Sequence, residues 1–377
     1  MDRTTFSTRA VARSGLALAT IAATAAATTC LASPAQAQPQ APDLPSVNAG
    51  WSAATVLAKG APAWQGQDLY LVGPDGEKHD MGRVGRTEQV QGMSTDGRFV
   101  ATTKTIDTES QTVRITLRDL QSGTVRTTDL PEVSSFTFVD GAGSQLAVER
   151  GYDETQVETY DRDLDLVAVL RGPGHGHTQG LATDQAGESI GMLTDDRLHL
   201  VDPATGRTQR TISPPKGYGE CSLDRFLGDG HGGSGDSVIT CTPTSGSGVA
   251  QVFAVPTESG SAARRLTKGT PPAGFGWDNA WPTASTVGDV ATERLECGAE
   301  DVHELTGTGT KDVNTGFPTG QFRTLDVVGT DVIGLGGTAD CGADATALTS
   351  HDLSTGENTT LLSGGYVRSA VVMPYAR

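Results

Sequence analysis

The chain is 377 residues long, carries 28 basic and 45 acidic side chains for a formal net charge of −17, and is only 5% aromatic. So acidic a surface repels polyanions, and no basic stripe is present to neutralise phosphates, which argues against a nucleic-acid partner. After the N-terminal region no uncharged run approaches the ~20 apolar residues that a membrane-spanning helix needs.

In chain order, the first features are Arg3, Arg9 and Arg13, then the uncharged residues 14–27, then Ala35-Gln36-Ala37. A basic start, a short apolar stretch and a small-residue cleavage site describe a secretory signal peptide over residues 1–37, so the mature protein is expected to be secreted. A lipid anchor at Cys30 is the alternative, but Thr29 directly before it fits the acylation pattern poorly. Cleavage after Ala37 leaves 25 basic and 44 acidic residues. Residues 38–50 (QPQAPDLPSVNAG) combine Pro, Gln and small residues without apolar periodicity, the composition of a flexible lead-in. The folded domain is expected over residues 51–377.

From Trp51 onward one grammar repeats. Residues 94–102 (STDGRFVAT) are a turn followed by a short apolar strand, and related stretches begin at Gly143, Gly187, Gly235, Gly288 and Gly329. Counted from Gly97 the steps are 46, 44, 48, 53 and 41 residues. They average about 46, the length of one four-stranded propeller blade. A second half-motif, a strand followed by a turn that ends in Gly, is clearest at 197–207 (RLHLVDPATGR). It recurs at 68–76, 116–123, 252–260 and 348–356, with degenerate copies at 157–165 and 302–309, making seven in all. Alternation and β-branched residues, as in Val113-Arg114-Ile115-Thr116-Leu117, predict strands throughout and minimal helix after the signal peptide. The turn-and-strand motif falls one copy short of seven. Residues 54–59 supply the missing second strand, and residues 366–372 (YVRSAVV) supply the missing first strand. The expected fold is an all-β, seven-bladed β-propeller whose first blade is closed by the C-terminal strand, which pairs edges that would otherwise stay open.

Residues 94–101 (STDGRFVA) resemble the S-P-D-G-R-x-Φ-A signature of TolB-like propeller repeats, with Thr95 where Pro is usual. Residues 199–212 (HLVDPATGRTQRTI) resemble the V-x-D-x-x-T-G pattern of YVTN-type and quinoprotein-like propellers. The resemblance spans nearly the whole mature chain and implies a secreted bacterial propeller. It is carried by turn-and-strand signatures, and such folds host binding modules, lyases, lactonases and dehydrogenase subunits alike. The sequence has no S-x-D-x-G-x-x-W box of the sialidase kind, no repeated Trp of the quinoprotein docking motif and no WD signature.

Four cysteines follow the signal peptide, an even number that points to two disulfides in an exported chain. Cys221 and Cys241 are nearly equidistant from the glycine-rich turn at 230–235, as cross-strand partners would be. Cys297 and Cys341 follow the second strand of their own units by similar intervals, and each precedes Gly-Ala. The expected pairing is Cys221 with Cys241 and Cys297 with Cys341. A zinc site is the alternative, and it lacks the close Cys pairs of metal knuckles.

Loops held by a rigid scaffold carry function. The connections into a unit's first strand include 171–179 (RGPGHGHTQ), 213–220, 268–281 and 315–322, consecutive around the expected ring. They hold Tyr218, Phe275, Trp277, Trp281, Phe317 and Phe322, with Asp278 between the two Trp residues. One reading is an aromatic-lined mouth for a protein, peptide or glycan partner. The other is that Trp277 and Trp281 fill the gap between blades and anchor a long loop. His175 and His177 could serve as a general base or as two metal ligands, but no spacing nominates a third ligand, and exposed loop histidines are the plainer account. His199, His303 and His351 occupy comparable repeat positions and read as blade surface. Residues 229–236 (DGHGGSGD) lack the carboxylate spacing of a calcium loop and read as a hairpin tip. The resulting expectation is a monomeric, non-catalytic binding or scaffolding module that acts through the loop face of residues 171–322 without a cofactor or metal. The alternative is a propeller lyase or hydrolase acting on a sugar or lactone, with His175 or His177 as base.

Overall fold

The structure, a computed structural model, describes residues 50–373 apart from 95, 140–142, 152–155, 172–179, 185–186, 195–196, 228–234, 247, 258–261, 275, 284–287, 296–298, 307–308, 319–320 and 338–343. Contacts divide the chain into Met1–Gln40 and Ala41–Arg377, and the described residues all belong to the second unit. The signal peptide, Cys30 and the lead-in up to residue 49 lie outside them, as do His175, His177, Phe275, Cys297 and Cys341.

The described residues form strands and turns and no helix. Five sheets are four-stranded antiparallel meanders. They run from β4 (Gln89–Met93) to β7 (Val125–Pro131), from β8 (Val133–Phe138) to β11 (Leu166–Arg171), and from β12 (Leu181–Thr183) to β15 (Thr208–Ile212). The other two run from β16 (Tyr218–Phe226) to β19 (Arg264–Arg265) and from β20 (Trp277–Trp281) to β23 (Gly309–Asp312). The remaining strands are β1 (Ser52–Ala58), β2 (Gln67–Val72), β3 (Lys78–Val84), β24 (Phe322–Val328), β25 (Asp331–Gly336), β26 (Ala345–Asp352) and β27 (Asn358–Val372). They make one seven-stranded sheet in the order β24-β25-β26-β27-β1-β2-β3. The long strand β27 serves two units. Residues 358–363 pair with β26, and residues 365–372 pair with β1, from Ser52 opposite Val372 to Ala58 opposite Gly365. The strands expected at 54–59 and 366–372 are therefore adjacent in one sheet.

Burial follows strand position within each sheet. The second strand β13 (Ile190–Thr194) and the third strand β18 (Gln251–Val255) are buried at every residue, whereas the fourth strand β7 is mostly exposed. A strand covered on both faces reads as a continuous apolar run, and a half-covered one alternates. The apolar cores accordingly lie between neighbouring sheets. Phe99, Leu117, Phe138 and Val148 join the second unit to the third, and Leu227, Val252, Trp277 and Ala291 join the fifth to the sixth. Ala54, Val72, Ile333 and Leu348 join the two halves of the seven-stranded sheet across β27.

The repeated turn has a structural explanation. Ser94 Oγ donates to Asp96 Oδ1 (2.6 Å) and accepts from the Phe99 amide (2.9 Å), and Gly97 takes a φ of 66° that a Cβ-bearing residue resists. Arg98 then grips Asp119 on the neighbouring strand at 3.2 and 2.7 Å. Burial pushes the Asp119 carboxyl up, but Arg98 together with the Ser122 and Gln121 amides outweighs it and holds the group at about 2. The turn carboxylates are thus committed to local structure.

Two other expectations resolve differently. Cys221 and Cys241 are opposite each other on β16 and β17 (Ser237–Pro243) and form the expected cross-strand disulfide. His199, His303 and His351, expected on the blade surface, are buried at 4%, 2% and 6% exposure. Each reaches a fourth-strand side chain through Nδ1, namely Thr211 (3.0 Å), Asp312 (3.0 Å) and Asn358 (2.9 Å). A third-strand imidazole can enter the intersheet core because its polar edge finds a partner there.

Close packing makes one glycine a clear test. A Cβ at Gly334 of β25 would lie 2.3 Å from Phe322 Cζ and 2.5 Å from the Arg323 carbonyl oxygen. Gly334→Ala is expected to lower stability by roughly 1–3 kcal/mol in thermal denaturation. Gly309→Ala, where nothing lies within 4 Å, should stay within about 0.5 kcal/mol of the parent.

Candidate functional site

Among the described residues the expected aromatic mouth is not assembled. Trp277 and Trp281 lie in strand β20, each only 2% exposed. Trp277 packs edge-on to His303 at 5.6 Å and donates Nε1–H to the Gly269 carbonyl at 3.3 Å, and Trp281 donates Nε1–H to Asp326 at 2.8 Å. Indoles of this size, with a polar edge to satisfy, are drawn into the gap between sheets. Tyr218 is half-buried with its ring edge on Phe253 at 4.7 Å. Phe317 is half-buried against Phe322 and borders a small cavity of about 80 Å³ with Glu300, His303 and Asp312. Asp278 pairs with Arg294 at 2.7 Å.

The larger cavity, about 380 Å³, is framed by the first strands of six units, with Ala370, Gly92, Thr137, Ala182, Arg225 and Leu325 on its wall. Its volume lies within the range of small-ligand sites, which begins at ~300 Å³. Most of these first strands share an irregularity. In β4, β8, β24 and the second half of β27, and also in β20 of the remaining unit, the ladder skips one residue, respectively Gln91, Ser134, Leu325, Arg368 and Asp278, and in β16 it skips two, Glu220 and Asp224. A bulge of this kind bends the strand and re-aims side chains. Asp224, Gln91 and Leu325 all line the cavity.

The charged side chains of this wall are Asp184, Asp224 and Arg225, with Asp326 and Glu300 close behind Arg225. Arg225 stands on β16, its guanidinium stacks on Trp281 of β20 at 4.0 Å from the ring centroid, and its Nη1 reaches Asp326 of β24 at 3.5 Å. One side chain therefore touches three consecutive units. Its Nε has no hydrogen-bond partner among the described residues, and burial lowers its pKa despite the nearby carboxylates of Asp326, Asp224 and Glu300. The adjacent Asp224 is pushed up to about 7 by burial, with Asp278 adding to the rise against a hydrogen bond from Thr240 and the charge of Arg225. Glu300, on β22 (Glu300–Thr306), is likewise raised to about 7 by burial and by Asp278, against the Thr324 amide that donates to it at 2.9 Å. Asp184, at the cavity edge, is raised by burial.

Of these groups the sequence reading singled out Asp278 and Trp281 and passed over Asp224, Arg225, Glu300 and Asp326. A signal was available, since Asp224-Arg225 sits between Leu223 and Phe226, and Asp326 between Leu325 and Val327. Charges inside otherwise apolar first strands are costly unless paired or put to use. Chemically, the arrangement offers one oriented guanidinium and carboxyl groups that exchange a proton near neutral pH. Among the described residues no group of three or more His, Cys, Asp or Glu side chains is placed to hold a metal ion.

No family model matches the chain, and no curated protein matches it. Solved structures do. The β-propeller domain of the Trilobed protease from Pyrococcus furiosus aligns with a TM-score of 0.57 at 12% identity, covering 84% of this chain and 96% of that one. The dihydro-heme d1 dehydrogenase NirN, in complex with DHE, aligns at 0.53 and 12% identity over 89% of this chain and 78% of its own. A Bacteroides uniformis protein provisionally called a 6-phosphogluconolactonase aligns at 0.52 and 11% identity over 86% of this chain and 100% of its own. At these identities the likeness establishes the fold, a β-propeller, and leaves ligand and reaction open.

The raised carboxyls give a signed pH dependence. A folded-state value of about 7 for Asp224 and Glu300 lies above the unfolded carboxylate range. Their contribution to stability is therefore complete below about pH 4 and is lost as the pH climbs through 7. Asp224→Asn is expected to raise the melting temperature by roughly 2–6 °C at pH 8 and by clearly less at pH 5. A gain that is flat between those pH values would show that the group ionises normally.

Proposed function

We propose that the protein is a non-catalytic binding propeller of the TolB-like type, exported through a signal peptide over residues 1–37 and monomeric, that takes its ligand in the cavity ringed by the first strands. The observation that carries this reading is the 380 Å³ cavity whose wall holds Asp224 and Arg225 at one bulge. The partner site thereby moves from the loop face of residues 171–322 to the cavity, since the two Trp residues expected to form the loop mouth are buried. Seven blades are inferred from the five four-stranded sheets and the two halves of the seven-stranded one, which share β27. The pairing of β27 with β1, and the apolar contact between those halves, support closure of the ring there. A second disulfide between Cys297 and Cys341 completes the proposal.

One observation favours an enzyme as the second reading. Two carboxyls near neutrality, Asp224 and Glu300, are suited to general acid–base work in a hydrolase or lyase acting on a sugar or lactone. Turnover on a panel of such substrates, abolished by Asp224→Asn and Glu300→Gln, would replace the binding reading.

The binding reading is tested by filling the cavity. Thr137→Trp is expected to leave the melting temperature within about 3 °C of the parent while abolishing retention of the ligand that crosslinks to the parent protein in its native culture medium. An unchanged crosslinked ligand in the variant would place the site elsewhere.

A further inference from the structure

Resting on the cavity as the binding site, we infer that its ligand is a small zwitterion of the α-amino-acid class with an apolar side chain, held by its carboxylate on Arg225 and by its ammonium on Asp224. The geometry starts with Arg225. Stacking on Trp281 at 4.0 Å fixes the plane of the guanidinium but uses none of its five N–H donors. The contact to Asp326 is 3.5 Å, too long for a good hydrogen bond. Asp326 Oδ1 already accepts from Trp281 Nε1 and from the Val327 amide, both at 2.8 Å. The guanidinium is thus oriented by its neighbours and left short of acceptors, and a carboxylate is the group that a planar fork of donors fits best.

Asp224 has the complementary deficit. It accepts from the Thr240 hydroxyl at 2.8 Å, but that hydroxyl has one proton and lies equally close to the Asp278 carbonyl oxygen. Its other oxygen has only Ser222, at 3.5 Å. Among the described residues no ion pair within 4 Å joins Asp224 to a basic side chain, Arg225 included. The bulge at Asp224 interrupts the alternation of β16, and both residues border the same cavity. A guanidinium and a carboxyl supplied by consecutive residues, with no ion pair within 4 Å between them, match the adjacent carboxylate and ammonium of an α-amino acid. Phe136, Leu181 and Leu325 border the same cavity and provide an apolar surface for a side chain.

Other ligand classes fit less well. A sugar would want the exposed face of an aromatic ring, and the Trp281 face is occupied by Arg225 while the ring is buried. A phosphate would meet the carboxylates of Asp224, Asp326 and Asp184 around a single guanidinium, and a purely cationic ligand would meet Arg225.

The experiment is calorimetric titration of the full mature chain with L-leucine, N-acetyl-L-leucine and L-leucine methyl ester. L-Leucine is expected to bind, and removal of either its ammonium or its carboxylate charge should weaken binding at least tenfold. Asp224→Asn should weaken L-leucine at least tenfold while leaving the affinity for N-acetyl-L-leucine within twofold. Arg225→Lys, which keeps the charge and protects the fold if Arg225→Gln does not fold, should also lose at least tenfold for L-leucine. Equal binding of L-leucine and its blocked forms, or L-leucine binding unaffected by both variants, overturns the assignment. If no compound of the panel binds, and Thr137→Trp still removes the ligand crosslinked in culture medium, the zwitterion is wrong and the cavity stands. If Thr137→Trp removes nothing either, both readings fall.

Discussion

Each sheet of this protein buries both of its faces against neighbours, and that constraint decides where polar chemistry can go. Over much of their length the second and third strands have no solvated side, as in Ile190–Thr194 and Gln251–Val255, buried throughout. A polar side chain on such a strand must find a partner within the stack, as His303 does with Asp312. Solvated positions lie on the outer fourth strands, at the ends of the inner strands and on the first strands around the cavity. Exposed pairs such as Arg114 on the third strand of its sheet with Asp129 on the fourth span the outer edge, and their worth is small. Only the first strands combine confinement with a concave wall.

That combination explains the position of Arg225. A guanidinium placed in the packed space between sheets would lose its hydration with little return. At the cavity it keeps partial contact with solvent, stacks on Trp281 and lies near Asp326, while its unpartnered Nε marks the incomplete bonding. Burial of the Trp281 ring follows from the same arrangement. One face of the indole is covered by the guanidinium, its N–H is bound to Asp326, and the remainder packs with Val290, Phe322 and Val332. An aromatic residue that looks like a binding anchor in the sequence thus supports the charged group that faces the cavity.

The architecture was legible in the sequence and the site largely was not, for identifiable physical reasons. Repeat spacing is a property of strand and turn lengths, so the steps from Gly97 to Gly329 locate the sheets. The strand at residues 366–372 was recognised by counting, and it pairs with β1 in the structure. The Cys221–Cys241 pair was readable because a hairpin makes register symmetric about its turn. Bulges have no comparable signature. The skipped residues Gln91, Ser134, Glu220, Asp224, Asp278, Leu325 and Arg368 range from acidic through apolar to basic, since a bulge is set by backbone twist and by what the neighbouring sheet allows. Tyr218, Trp277 and Phe317 were assigned to loops by chemistry, and the structure places two of them in strands and all three in packing contacts.

Asp278 is the group that ties the cavity's electrostatics together. Its charge contributes to raising both Asp224, on the wall of the larger cavity, and Glu300, beside the smaller one. Arg294, its own partner at 2.7 Å, is 68% exposed, and water and salt screen most of what that cation supplies. Burial and this added charge together favour the protonated form of Asp224, against the charge of Arg225 beside it. On the proposed reading, an ammonium bound at Asp224 would displace that proton, and the net charge at this carboxyl would change little. On the same proposed reading, selectivity rests on a positive group presented beside an acceptor for Arg225.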